Sequence, residues 1–260
     1  MTILDQLAGY ARERTRQAKK RVPLEEIRRQ AMSLPRGSFA FEETLKKPGV
    51  SFICECKKAS PSKGLIAPEF PYLKIAEEYE AAGADCISVL TEPKWFLGSD
   101  EYLKEIAMSV SLPCLRKDFT VDSYMIYEAK ALGAAAVLLI CSILTEKELS
   151  EYISICEELG LSALTEAHTE EEVQMALKAR AHIIGVNNRN LRDFSVNTDN
   201  SRRLRALIPR DVLFVSESGV SSAEDVARLR EIGADAVLVG ETLMRAEDKK
   251  ARLHELLGVL

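Results

Sequence analysis

The chain has 260 residues, 47% of them hydrophobic and 29% charged, with a formal net charge of −5 at pH 7. That is enough apolar material for a sizeable core, and too acidic a balance for nonspecific nucleic-acid binding. No apolar run approaches the ~18 residues a membrane span needs. The first residues also lack the apolar core and small-residue cleavage site of a secretory signal, so no membrane partner and a cytoplasmic location are expected.

Residues 1–48 predict two helices broken near Pro23, a residue suited to a first helical turn. Arg12, Arg14, Arg16, Lys19, Lys20 and Arg21 form a basic cluster there, interrupted by acidic residues and read as a solvated helix face. A first strand over 51–56 then runs into "ICECKKASPSKG", which sets Glu55 and Lys57 at the end of an otherwise apolar segment.

From residue 74 a repeat sets in. "EAAGADCISVL", "KALGAAAVLLI", "EELGLSALTEA" and "REIGADAVLVG" each join a helix tail, a glycine and a short apolar run. Gly83, Gly133, Gly160 and Gly233 stand where a helix C-cap needs a left-handed residue. The runs after them lack polar alternation, as strands covered on both faces do. Between them, Ser99–Asp100 opens a helix with Leu103, Ile106, Ala107 and Val110 on one side, and Ser221 with Glu224 predicts a capping box.

Further strands are expected over 113–118, 182–187 and 212–217. The eight strand ends are then Glu55, Leu90, Lys117, Leu139, Glu166, Asn187, Glu217 and Gly240. Eight β/α units in series predict a closed parallel (β/α)8 barrel, a TIM barrel. The expected organisation is a single domain over 1–260, with 1–48 as an N-terminal helical extension and no second domain fused after the eighth helix. The six cysteines, mostly within apolar runs, predict reduced core thiols rather than a metal site. Cys54 and Cys56 have no matching Cys/His pair nearby.

Active sites of such barrels lie at the C-terminal ends of the strands. Glu55 and Lys57 share one strand face. Lys117, Glu166, Asn187 with Arg189, and Glu217 with Ser218 follow four other apolar strands at the same relative position. Gly219 and Gly240 turn the last two strands into helix starts, where this fold commonly binds phosphate, and Ser60 can add a hydroxyl. His168 has no partner nearby in sequence and reads as incidental.

In chain order, "ECKKASPSKG", "SVLTEPKWFLGS", "LPCLRKDF", "LLI", "TEAH", "GVNNRNL", "SESG" and "LVGETLMR" occur one per β/α unit. Together they resemble the indole-3-glycerol phosphate synthase family of tryptophan biosynthesis, over nearly the whole chain. The resemblance implies closure, decarboxylation and dehydration of 1-(2-carboxyphenylamino)-1-deoxyribulose 5-phosphate, with no cofactor and no metal. It implies Lys117 as general acid at the ketone, and Lys57 as partner of the substrate carboxylate with a second role open to it as proton donor in the dehydration. Glu166 would stabilise cationic intermediates or assist proton transfer, and Glu55 would be the favoured base for the later loss of water. Asn187 would orient these groups, and Glu217 and Ser218 would line the hydroxyl side.

The same resemblance places Arg189 near the carboxylate, and Trp95, Phe96, Phe119, Leu138 and Leu191 around the aromatic ring. It gives phosphate to Ser60, Gly219, Gly240 and the Glu241 backbone. The family often has serine at the last position, so the Glu241 carboxylate is expected to turn away. The implied partner is the small-molecule substrate, with transient contact to other enzymes of the pathway.

With Lys57, Lys117 and Arg189 set against Glu55, Glu166 and Glu217, an anionic substrate is expected to raise a glutamate pKa and draw in a proton. Rival readings are a phosphoribosylanthranilate isomerase-like enzyme, an aldolase using Lys117 as a Schiff base, and a non-catalytic phosphate-binding subunit. The strand-one Glu-x-Lys and the strand-three lysine argue against the isomerase.

Overall fold

The computed structural model describes residues 2–189 and 194–258. Eight strands close a parallel barrel: β1 (Ser51–Cys56), β2 (Cys86–Leu90), β3 (Cys114–Lys117), β4 (Ala136–Ile140), β5 (Ser162–Ala167), β6 (Ile183–Asn187), β7 (Leu213–Glu217) and β8 (Ala236–Val239). Each pairs with its sequence neighbours, and β1 completes the ring by pairing with β8.

The repeat has a mechanical meaning. All four expected C-cap glycines have positive φ, between 69° and 91°, which an L side chain adopts only under strain. In the two Gly-Ala-Asp copies the aspartate then clamps the preceding strand in the ring. Asp85 accepts the Phe52 N–H at 2.8 Å, and Asp235 accepts the Phe214 N–H at 2.7 Å.

The strands alternate strictly. Phe52, Cys54, Ile87, Val137, Ile184, Phe214 and Val237 pack outward under the helices. Ile53, Cys86, Leu115, Ala136, Leu164, Ile183, Val215 and Ala236 fill the interior. All six cysteines are buried free thiols.

The helices of the units are α4 (Tyr72–Ala81), α5 (Asp100–Ser109), α6 (Ser123–Ala131), α7 (Glu146–Leu159), α8 (Glu170–Lys178), α9 (Asp199–Arg205), α10 (Ala223–Glu231), the short α11 (Glu241–Met244) and α12 (Lys249–Leu257). Ser99 caps α5 as expected. The box on α10 lies one residue later than predicted: Ser222 is the cap and Asp225 the returning carboxylate, which also accepts from the Ser221 hydroxyl.

Three helices precede β1, not two: α1 (Ile3–Arg21), α2 (Leu24–Ser33) and α3 (Ala40–Leu45). Pro23 is the cap residue of α2, just outside its first turn. The third is too short for a periodic signal. It closes the lower end of the barrel with Phe41 and Leu45, and its Glu42 N–H donates to Ser162 at 3.0 Å.

α1 lies across the other end. Leu7, Ala8 and Ala11 join the interior cluster of the barrel. Two residues of the basic cluster fix it there, so the cluster is not simply a solvated face: Arg14 pairs with Asp118 and Lys19 with Asp122, each at 2.6 Å. No helix among the described residues is long and apolar enough to cross a membrane.

Candidate active site

Strand parity builds the site. Stepping by two from the interior residues Ile53, Leu115, Leu164, Ile183 and Val215 reaches Glu55, Lys117, Glu166, Gly185 (then Asn187) and Glu217. The register sets Ile140 beside Glu166, Glu166 beside Gly185, and Asn187 beside Glu217. These side chains open into a cavity of about 620 Å³ at the C-terminal ends of the strands.

Two Lys–Glu groupings stand on its wall. Lys57 Nζ lies 2.7 Å from Glu55 Oε1, while Ser88 donates to Glu55 Oε2 at 3.4 Å. Burial alone would raise the Glu55 carboxyl, but Lys57 and Lys117 outweigh it and hold it below the usual range. Across the barrel, Lys117 Nζ sits 3.5 Å from Glu166 and 3.4 Å from Glu217. Burial would lower the lysine, yet Glu217, Glu166 and Glu55 together push it upward.

The two carboxylates of this second grouping diverge. Burial, assisted by neighbouring Glu166, lifts Glu217 to about 8, against the pull of Lys117. Glu166 is lowered, because Lys117 and then His168 overcome its burial. The two carboxyls titrate as a pair, with Glu217 the one biased toward the protonated form and Glu166 toward the ionised one.

Glycines make room for these charges. A Cβ on Gly185 would stand 2.2 Å from Glu217 Oε1, and one on Gly240 would stand 2.5 Å from Glu55 Oε1 and 2.8 Å from Lys57 Nζ. Asn187 Oδ1 accepts the Arg189 N–H and the Ser218 hydroxyl, both at 3.0 Å, which supports Ser218 in its left-handed conformation (φ 66°) ahead of Gly219 (φ 89°).

The apolar side of the cavity is formed by Phe96, Phe119, Leu138 and Ile140, with Ile3 and Leu7 contributed by α1. Trp95 is not among them. Its ring meets Tyr10 of α1 edge-on at 5.5 Å, with the Lys94 ammonium over its face, so it seats the roof and does not line the pocket. Leu191 lies outside the described residues.

Ser60, Gly219, Gly240 and Glu241 gather at the opposite side with Lys63, Arg189 and Arg245. The Glu241 carboxylate does not turn away as expected. It accepts from Arg245 Nε at 3.1 Å and lies 3.6 Å from Lys63 and 3.8 Å from Arg189, occupying the basic cluster itself.

Several contributors left no readable sequence signal. Buried Glu92 accepts the backbone N–H groups of Lys94, Trp95 and Phe96, which folds the loop that presents Phe96. Asp118 accepts from Thr91 at 2.6 Å and from Arg14, linking Lys117's neighbour to α1. Asn188 ties Ser216, Ser218 and Ser201 together beneath the β6 and β7 loops. His168, read as incidental, stands against Glu166.

A closed (β/α)8 barrel with paired acids and bases at its rim, facing a basic glycine-lined cradle, defines an acid–base enzyme acting on an anionic small molecule. The chain belongs to the indole-3-glycerol phosphate synthase family, whose model matches residues 4–256. It is similar to the indole-3-glycerol phosphate synthase of Ruminiclostridium cellulolyticum, 55% identical over 257 residues covering 98% of this chain and 99% of that one. The enzyme of the same description from Lachnoclostridium phytofermentans is 49% identical over 270 residues, covering 99% and 100%.

Among solved structures, thiamine phosphate pyrophosphorylase from Pyrococcus furiosus superposes with a TM-score of 0.62 at 16% identity, covering 84% of this chain and 96% of that one. At that identity it shares the fold alone. The chain is thus a decarboxylating lyase of tryptophan biosynthesis acting on a small molecule.

Proposed function

We propose that the two Lys–Glu groupings divide the family's reaction between them. Lys117 protonates the ketone oxygen of the ribulose chain, and the ring carbon that bears the carboxylate attacks the ketone carbon. The substrate's own nitrogen pushes the electrons for this bond. The C–CO2 bond then breaks, its electron pair returns to the ring system, and carbon dioxide leaves. Glu166, held ionised beside Lys117, stabilises the cationic intermediate.

In the dehydration, Lys57 gives a proton to the departing hydroxyl and Glu55 takes the proton from the adjacent carbon. Their 2.7 Å contact suits an acid and a base acting on neighbouring atoms. Lys57 and Arg189 face the substrate carboxylate. Asn187, Glu217 and Ser218 orient the hydroxyl side. Phe96, Phe119 and Leu138 hold the aromatic ring beneath Ile3 and Leu7, with Leu191 assigned there by resemblance alone. Ser60, Gly219, Gly240 and the Glu241 N–H, with the nearby cations, receive the phosphate.

The observation that supports this reading best is the Lys117 ammonium, set between Glu166 and Glu217 in the same cavity as the Glu55–Lys57 pair. Steady-state assay by indole fluorescence tests it. Lys117→Ala should lower kcat by about 10²–10⁴ with little change in substrate affinity. Near-normal turnover would remove Lys117 from the acid role.

We also propose that the chain, α1–α3 included, works as one unit in the cytoplasm, with only transient contact to other enzymes of the pathway. Supporting this are six buried thiols and the seating of α1 over the cavity.

A further inference from the structure

The imidazole of His168 lies between two carboxylates. Its Nε2 is 3.5 Å from Glu166 Oε1, and its Nδ1 is 3.5 Å from Glu172 Oε2. Glu172 is itself anchored, because its Oε2 accepts the His168 backbone N–H at 2.6 Å. The His168 carbonyl accepts from Asn200. The ring is largely buried and stands behind Glu166, outside the cavity lining.

A neutral imidazole has one N–H and can serve one of two facing carboxylates. The imidazolium has two and serves both. The groups facing it are Glu166 on β5, Glu172 on α8 and, across the barrel, Glu217 on β7, with the Cys141 thiol nearby after β4. Burial keeps Cys141 protonated up to about 12. Three carboxyls therefore face the ring, and burial, which would lower its pKa, is overcome so that it is raised.

The consequence concerns the proton shared by Glu166 and Glu217. Lys117 stands almost equally far from both, at 3.5 and 3.4 Å, so it cannot decide which one is ionised. His168 can, because it touches Glu166 alone. Each Glu166 oxygen thereby has its own cation, Lys117 on Oε2 and His168 on Oε1. Glu217 has only the Lys117 ammonium beside it, 3.4 Å from Oε2, and no second cation among the described residues.

We infer that His168 is a positioning residue for Glu166, bridging it to Glu172 and fixing the shared proton on Glu217 so that a charged carboxylate stands beside Lys117. This rests on the roles proposed for Glu166 and Lys117, so one arm of the test is independent of turnover.

With 13C/15N-histidine labelling, the three histidines give three imidazole signals. His168, assigned by through-bond correlation, should be an imidazolium at pH 7, and Glu166→Gln should lower its midpoint by about one pH unit. A neutral ring at pH 7, or a midpoint unmoved by Glu166→Gln, overturns the inference whatever the activity.

In the kinetic arm, His168→Gln keeps a donor but removes the charge. It should lower kcat about tenfold, leave KM within twofold, and move the acidic limb of the kcat–pH profile upward by about one unit. His168→Lys should recover part of that shift. A His168→Gln profile that superimposes on the parent also overturns it.

Discussion

Glu217→Gln tests the electrostatics of the rim without reference to catalysis. The residue is 1% exposed, and a Cβ on Gly185 would intrude on its carboxyl, so the amide fits the same space and little else would. Burial and Glu166 raise the carboxyl from an ordinary 4.5 to about 8. The folded state therefore keeps a proton that the unfolded chain has lost throughout that window. Stability associated with this group is fully present below pH 4.5 and is lost as pH rises toward about 8.

Each pH unit costs about 1.4 kcal/mol, so the whole window costs on the order of 4–5 kcal/mol. The glutamine variant does not titrate. Its stability relative to the parent should climb between pH 5 and 8 and then level off, a relative gain in Tm of roughly 10 °C for a chain of this size. Thermal or urea denaturation of ligand-free protein at pH 5, 6, 7 and 8 measures it. Parallel curves for parent and variant would refute a buried, protonated Glu217. The same assignment sharpens the expected proton uptake: with Glu217 already protonated at pH 7, uptake on substrate binding should be small there, larger near pH 8.5, and absent in the variant.

Gly240→Ala places a methyl group against Glu55 and Lys57, and kcat should fall about 10²-fold, read by indole fluorescence, while the melting curve stays cooperative. Glu241→Ser removes a carboxylate from Lys63, Arg189 and Arg245. Because exposed pairs are worth about 0.2–1 kcal/mol each, inorganic phosphate should bind roughly two- to fivefold more tightly by calorimetry. Weaker binding would show instead that Glu241 props the cradle open. Arg14→Ala leaves buried Asp118 with Thr91 and its own loop N–H, a loss of about 1–3 kcal/mol. With α1 loosened, KM should rise and the helix should become sensitive to protease, whereas an unchanged KM would separate Ile3 and Leu7 from substrate binding.

The barrel was legible because its signals are local and repeated. A left-handed glycine, a short apolar run and a polar strand end recur within some ten residues of each other, and parity then aims Glu55, Lys117, Glu166, Asn187 and Glu217 at one mouth. What stayed hidden depends on distant pairs. Arg14 and Asp118 are 104 positions apart, and neither residue's sequence neighbourhood names the other. Gly185 looks like a flaw in a strand until Glu217 is seen to occupy the space of its missing side chain. Only the resemblance places Trp95 at the ring pocket, and its edge-on contact with Tyr10 of α1, a residue far from it in the chain, has no local signal.

The same parity explains how a barrel tolerates so many buried charges. Four of the eight strands pass from an apolar to a charged interior residue in a single two-residue step: Ile53 to Glu55, Leu115 to Lys117, Leu164 to Glu166, Val215 to Glu217. Below that step the interior is dry and close-packed, closed by Phe41 and Leu45. Above it, the Lys57 and Lys117 ammoniums each have a carboxylate within 3.5 Å, and Glu217, which shares its one nearby cation with Glu166, is the carboxyl pushed toward the protonated form. An uncompensated buried charge costs several kcal/mol, which the lower half would have to offset. With Glu217 discharged, Lys57, Lys117 and Arg189 stand against Glu55 and Glu166 alone, an excess of one positive charge that suits an anionic substrate, and folding and chemistry place their demands on different layers of the same strands.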